Sequence, residues 1–294
     1  MENIFALHNE LTDKIYQHGG YKAFKINDPK VRDIHKASVR DRLVHHAIYR
    51  ILYPYFDSKF VFDSYSCRVN KGTHRAISRF RNFALKVSQN NTRTCWVLKC
   101  DIRKFFASID HKVLIDILKK FIGDTDVLRL IEQIVESFNT ESKAGTGLPL
   151  GNLTSQLLVN IYMNELDHFV KRELKAKYYI CYADDFVLLS DDKRYLENLL
   201  PRISDFLETT LKLSLHPDKV CIKTLASGVD FLGWVYFLDH RILRKSTKQR
   251  MFRRIAVNPK NESYQSYLGI LEHGNAGKIE LELEKQYNEN AKHF

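Results

Sequence analysis

The sequence predicts a mixed α and β fold, and three observations carry that expectation. Stretches of helical period alternate with strand-like runs along the whole chain. Two apolar runs, residues 178–183 and 186–190, are separated only by Asp184 and Asp185, which is how a tight β-hairpin is written. Beyond Asp239 the composition turns basic and helical, with Arg244, Lys245, Lys248, Arg250, Arg253 and Arg254 in quick succession.

In chain order, residues 38–53 read as a helix whose greasy face is Val39, Leu43, Ala47, Ile48 and Ile51, closed by Pro54 as a breaker. Residues 73–87 repeat the period through Ala76, Ile77, Phe80 and Ala84, with Arg75, Arg79 and Lys86 elsewhere on the surface. This basic helix suits the side of a nucleic-acid channel, and equally a plain solvated face. Residues 95–102 form a short β-rich run, followed by amphipathic helices over 111–122 and 126–138. The segment 141–151 holds three glycines and a proline and reads as loop. Residues 153–174 are helical again, 195–211 are helical with a break or kink at Pro201, and 229–238 read as a glycine-containing strand pair.

The formal net charge is +11, and residues 21–100 alone hold 17 Lys and Arg against 5 Asp. So concentrated a field favours a polyanionic partner, although a merely soluble basic surface has the same composition. Five cysteines, Cys67, Cys95, Cys100, Cys181 and Cys221, contain no CxxC pair, which argues against a disulfide framework or a zinc knuckle and fits a reducing cytoplasm. Residues 1–20 do not read as a signal peptide, and no apolar run approaches the roughly 18 residues of a membrane span.

The chemistry concentrates in Tyr182-Ala183-Asp184-Asp185. Two adjacent carboxylates at a rigid turn repel each other unless a positive group neutralises them. Two hard divalent cations about 4 Å apart would do so, and could activate a 3′-hydroxyl and stabilise a leaving pyrophosphate. Taken alone, the tetrapeptide reads as readily as an Asp-Asp turn facing water. Asp101 changes the balance, because it ends the strand-like run 95–102, where it can face the hairpin across one sheet; alone it would be a turn or capping residue.

Six blocks in order then resemble a prokaryotic reverse transcriptase: SYSCRVNKGTHRA (64–76), residues 100–110 around Asp101, GLPLGNLTSQLLVN (147–160), YADD (182–185), Leu215-His216-Pro217-Asp218-Lys219, and Phe231-Leu232-Gly233-Trp234. The resemblance implies a right-hand polymerase: N-terminal region and fingers over 1–99, palm over 100–238 with a finger–palm loop at 141–152, and a short helical thumb over 239–294. It implies two Mg2+ ions, replaceable by Mn2+, held by Asp101, the Ile102 carbonyl, Asp184 and Asp185, with dNTP as substrate. Phe106 matches the steric gate against a ribose 2′-hydroxyl, its alternative being a core phenylalanine. Lys219 matches the lysine that protonates pyrophosphate, its alternative an ordinary surface lysine. Arg68, Lys71 and Arg75 fall where the family grips triphosphate or template, and Gly151 and Gln156 lie behind the nucleotide. Arg32, Arg40 and Arg42 match a block near the template, although pairing with Asp33 or Asp41 is equally compatible.

One departure narrows the resemblance. Leu150 stands where most retroviral and intron enzymes carry glutamine, and Ser155-Gln156 stands where Ser-Pro is usual. That string is similar to the reverse transcriptases of diversity-generating retroelements, within the superfamily of group II intron and retron enzymes. It implies error-prone copying at adenines, a template RNA and RNA–cDNA duplex as ligands, and a small basic accessory protein as partner. An antiphage-defence or retron enzyme, and a non-catalytic RNA-binding scaffold, are the other readings. No zinc, endonuclease or RNase H signature follows, so RNA cleavage is not expected from these residues.

Overall fold

In the computed structural model, which describes residues 2–27, 31–140 and 143–291, the alternating periods become helices and antiparallel strands. The chain opens with α1 (Glu2–Thr12), β1 (Tyr21–Ile26), β2 (Arg32–Ala37), α2 (Val39–Asp57) and α3 (Thr73–Val87). It continues through β3 (Trp96–Asp101), α4 (Phe105–Ser108), α5 (His111–Lys119), α6 (Thr125–Glu136) and α7 (Leu153–His168). A π-helical turn, Phe169–Glu173, extends α7 before β4 (Tyr179–Tyr182), β5 (Asp185–Ser190), α8 (Lys193–Thr209) and β6 (Cys221–Thr224). The rest is β7 (Val229–Phe231), β8 (Trp234–Tyr236), β9 (Arg241–Leu243), α9 (Lys245–Val257), α10 (Asn261–Leu271) and α11 (Gly277–Ala291). Residues 141–142 of the expected loop lie outside the described residues.

The chain divides into two compact units, the first comprising residues 1–76, 99–188 and 197–221 and the second 77–98, 189–196 and 222–294. The sheet that carries the first unit's carboxylates has strand order β4–β5–β3–β6, with β4 and β5 antiparallel. Behind them α7 is buried nearly all round, from Thr154 to Asp167. Two of its polar side chains find backbone partners inside: Asn160 Nδ2 donates to Ser66 O at 2.8 Å, and the buried Tyr162 hydroxyl donates to Leu211 O at 2.5 Å. The second unit is built on the meander β7–β8–β9 and on α9 to α11, with Met251, Ile255 and Leu283 fully buried. Leu232 and Gly233 both take positive φ, 49° and 89°, the pattern of a two-residue hairpin turn. A Cβ on Gly274 would fall 2.0 Å from the Trp234 ring, so this close approach demands glycine.

Several expectations are corrected. Pro54 does not end α2, which runs on to Asp57, and Pro201 does not break α8. Each proline removes one backbone bond, to Arg50 and Glu197 respectively, and both of those residues are exposed, so water can replace the lost donor. Interior proline costs a helix about 3 kcal/mol, whereas burying Leu52 and Phe56 contributes roughly 1.5–3 kcal/mol each. Of the greasy face assigned to α2 only Ile48 is buried: Val39, Leu43 and Ile51 are 67, 46 and 71% exposed, and Ala47 is exposed as well. The helix carries a second row at the same spacing, Val44, Ile48, Leu52 and Phe56, and that row is buried together with Asp41 and His45. Finally, α1, the β1–β2 ribbon and β9 are elements that periodicity did not reveal.

Candidate active site

Tyr182 pairs with Asp185, so the β4–β5 turn consists of Ala183 and Asp184 alone. Asp185 is therefore the first residue of β5 rather than part of the tip. Ala183 has φ 55°, a region that favours glycine, so the turn is held under local strain. Flanking segments supply the restraint. Asp63 O accepts from Cys181 N at 2.9 Å and Tyr65 N donates to Cys181 O at 3.0 Å, pairing residues 63–65 with β4. The Thr73 and Tyr182 hydroxyls lie 3.1 Å apart.

The end of β3 meets this turn directly. Ile102 N donates to Asp184 O at 3.0 Å, while on the other side His216 N donates to Asp101 O at 2.8 Å and Arg103 N to Ser214 O at 2.9 Å. Ile102 forms an isolated antiparallel bridge with Leu215, and its buried side chain fixes the backbone between the carboxylates. Asp101, Ile102, Asp184, Asp185 and Lys219 are thereby gathered within the first unit.

Charge balance at the cluster comes from lysines. Lys219 Nζ donates to Asp101 Oδ1 at 2.8 Å, and Lys99 Nζ lies 3.5 Å from Asp185 Oδ2. Burial pushes the Asp185 carboxyl up to about 7; Lys99 opposes the shift, and Asp101 and Asp184 add to it by repulsion. Burial likewise raises Asp184, with repulsion from Asp101 adding to it and the fields of Lys219 and Arg32 opposing. Asp185 Oδ1 is buried without a hydrogen-bond partner. Among the described residues, no group of three His, Cys, Asp or Glu side chains is gathered so as to hold a metal ion. The lysine pairs draw Asp101 and Asp185 separately, so a common cation requires those pairs to yield. In donor chemistry the site nevertheless fits Mg2+ or Mn2+: the ligands are all hard oxygen, they repel one another, and one buried oxygen lacks a partner.

The other expected residues divide by how far they are committed elsewhere. Arg68 is 6% exposed; its Nε donates to Asp57 Oδ1 at 2.7 Å and its remaining nitrogens to the carbonyls of Val61, Ser64 and Asp57. It is thus fastened to the segment that flanks β4, and its guanidinium is not presented to a phosphate. Lys71 donates to Phe62 O at 2.6 Å and lies over the Phe62 ring. Arg75 is exposed at the start of α3. Phe106 is half-buried on α4, edge-on to the buried Phe105, and its carbonyl accepts from Leu148 N at 2.8 Å. Gly151 has φ 107°, and a Cβ there would lie 2.8 Å from Ile34 Cγ2. His35 N donates to Leu150 O and Asn152 Nδ2 to His35 O, both at 2.9 Å, so β2 is bonded along this loop. Gln156 is half-buried on the first turn of α7.

Of the early arginines, Arg40 pairs with Glu10 and Asp41, Arg42 Nε is buried without a partner, and Arg32 is exposed where its field reaches Asp184. Sequence reasoning missed Lys99. The signal was available, because residues two apart on a strand share a face, which puts Lys99 beside Asp101 on β3.

Comparison with known proteins bears on what such a cluster does. The family profile described as reverse transcriptase (RNA-dependent DNA polymerase) matches residues 24–236. The chain is 27% identical over 271 residues to protein YkfC of Escherichia coli (strain K12), covering 80% of this chain and 69% of that protein. It is 29% identical over 184 residues to the group II intron-encoded protein LtrA of Lactococcus lactis subsp. cremoris, covering 61% of this chain but 29% of LtrA. Among solved structures, telomerase from Candida albicans superposes with a TM-score of 0.60 at 11% identity, over 94% of this chain and 55% of the telomerase chain. That likeness is one of fold: an α+β right-hand polymerase.

Proposed function

The chain belongs to the reverse transcriptase family of RNA-dependent DNA polymerases, and from that premise we propose that it copies a template RNA into cDNA at the Asp101–Asp184–Asp185 cluster. The observation that carries this reading is the bond from Ile102 N to Asp184 O, which brings the end of β3 against the hairpin turn. Asp101, Asp184, Asp185 and the Ile102 carbonyl would hold two divalent cations, which when bound lower the pKa of a primer 3′-hydroxyl and neutralise the leaving group. The 3′-oxygen forms the new bond to the α-phosphorus as the α–β anhydride breaks, and the hydroxyl proton passes to solvent. Lys219 gives its ammonium proton to the departing pyrophosphate and is reprotonated from water. Phe106 excludes a ribose 2′-hydroxyl by clash, Arg75 and Arg32 are the cations open to triphosphate or template, and Gly151 and Gln156 lie behind the nucleotide. Arg68 serves as a brace for the fingers. The proposed division is fingers over 1–99, palm over 100–238 and thumb over 239–294.

The finer reading is an error-prone enzyme of a diversity-generating retroelement, working in the cytoplasm with a small basic accessory protein on a shared RNA. Leu150 and the Ser155-Gln156 pair support it, since lost polar contacts weaken rejection of near-cognate pairs. The five free cysteines suit a reducing compartment, and no described helix is long and apolar enough to cross a membrane. Likeness to intron-encoded proteins favours a second reading, in which the template is a structured intron-type RNA. Sequencing cDNA made by the purified protein on its native RNA tests both: changes scattered opposite adenines, reduced by Leu150→Gln, support the first, and faithful copies overturn it.

A further inference from the structure

The second unit contains a cavity of about 370 Å3 that the polymerase reading does not use. Its walls are α3, the turn between β8 and β9, and the loop between α10 and α11. Hydrogen bonds already tie this lining together. Asn91 Nδ2 donates to Leu238 O at 3.0 Å, Asn275 N to Arg241 O at 3.1 Å, and Phe237 N to His240 O at 2.9 Å. The cavity is therefore preformed, and its volume falls in the range of small-ligand sites.

Three features define what it would accept. The Phe237 and His240 rings stack face to face, 4.8 Å apart at 11°, forming an aromatic stack at the lining. Arg81 is exposed at the lining without an ion-pair partner among the described residues, on a helix that also carries Arg75, Arg79 and Lys86 and no acid. The Tyr236 hydroxyl is buried with no hydrogen-bond partner; the residue is 4% exposed, and Arg241 lies nearby. A buried hydroxyl left unpaired is costly unless something brings it a partner. Of the acids at the lining, Asp239 is taken up by His240 and Glu272 is exposed.

A flat apolar body, a negative charge and a polar edge together describe a nucleotide. We propose that this cavity seats one unpaired nucleotide of an RNA strand, with its base against an outer face of the Phe237–His240 stack, its phosphate on Arg81 and a polar atom on the Tyr236 hydroxyl. Stacking on aromatic rings beside a cationic track is how single strands are held without reading their sequence. The strand's identity rests on the polymerase reading, but the test requires no synthesis.

The test is fluorescence anisotropy of a 5′-phosphorylated hexauridylate with the full chain, in the presence of EDTA, together with crosslinking of a 4-thiouridine version and peptide mapping. The crosslink should map to residues 236–241. Arg81→Gln should weaken binding about tenfold and flatten its salt dependence. Tyr236→Phe should weaken it several-fold while leaving the thermal midpoint equal or higher, because it removes an unsatisfied hydroxyl. Binding within twofold of wild type in both variants, or a crosslink confined to other segments, overturns the proposal. Uridine monophosphate competing as well as the hexamer assigns the cavity to free nucleotides and overturns the strand. A chain that binds at this cavity yet makes no cDNA would defeat the polymerase reading alone.

Discussion

Two carboxylates in the first unit, Asp41 fully buried and Asp185 with one oxygen buried, show opposite uses of the same side chain. Asp41 is 1% exposed, and burial alone would raise its pKa; hydrogen bonds from Ser38 and Tyr16, with the charges of His18 and Arg40, hold it below the usual carboxylate range. Ser38 Oγ donates to Asp41 Oδ2 at 2.7 Å and the Tyr16 hydroxyl to Oδ1 at 2.9 Å. Asp185, by contrast, is pushed up to about 7, faces two other carboxylates and keeps one oxygen without a donor. A satisfied buried acid is part of the scaffold, whereas an unsatisfied one stands ready for a ligand that carries positive charge.

The sharpest way to break this comparison is to neutralise each acid in turn. Asp184→Asn or Asp185→Asn should lower primer extension at least about 1,000-fold, each removing a cation ligand. RNA binding by filter retention should stay within about twofold; extension near the wild-type rate would remove these residues from the chemistry.

On stability the order reverses. Asp41→Asn should cost about 3 kcal/mol in urea unfolding, because it removes the buried charge on which Ser38, Tyr16 and Arg40 converge. Asp185→Asn should change it by less than about 1 kcal/mol, since it removes a carboxyl that burial already penalises. Equal losses would mean that Asp185 is scaffold too.

The pH dependence sharpens the same contrast. His45 lies in the Asp41 network: its Nδ1 and the Thr154 hydroxyl are hydrogen-bonded at 2.8 Å, and its Nε2 lies 2.9 Å from His18 Nε2. Burial, with His18, lowers its pKa to about 4 from 6.5. Between those values the unfolded chain binds the proton more tightly, so stability is full above pH 6.5 and falls as pH drops toward 4, by up to about 3 kcal/mol. The depressed Asp41 acts in the same direction at still lower pH. His45→Gln should flatten unfolding free energy across pH 4.5–6.5; an unchanged slope would place the acid sensitivity elsewhere.

The smallest expected effect concerns Lys99. Its ammonium repels any cation near Asp185, so Lys99→Met at pH 8 should lower the half-saturating Mg2+ for extension by about two- to fivefold. An increase would mean that Lys99 orients the carboxylate more than it competes for it.

The hairpin, the strand end at Asp101 and the helix of α3 were legible because their signals are local: a run, a spacing, a turn. The buried face of α2 was not, because its two apolar rows share the same spacing, and only the Thr154 and Tyr16 partners of the polar row decide between them. The commitment of Arg68 was hidden for a related reason. Three of its four acceptors are backbone carbonyls, which any residue supplies and no sequence announces. Strands β1 and β9 have no apolar alternation of their own and exist through pairing with a neighbour.

The reversal at Ala183 and Asp184 also works as a gauge of length. Side chains on β5 alternate faces, so an extra residue must either bulge out or slip the pairing by one, and a slip would carry Phe186 and Leu188 toward the side that Asp185 occupies. Substitution at this bend perturbs a single group, whereas insertion would turn the whole strand over.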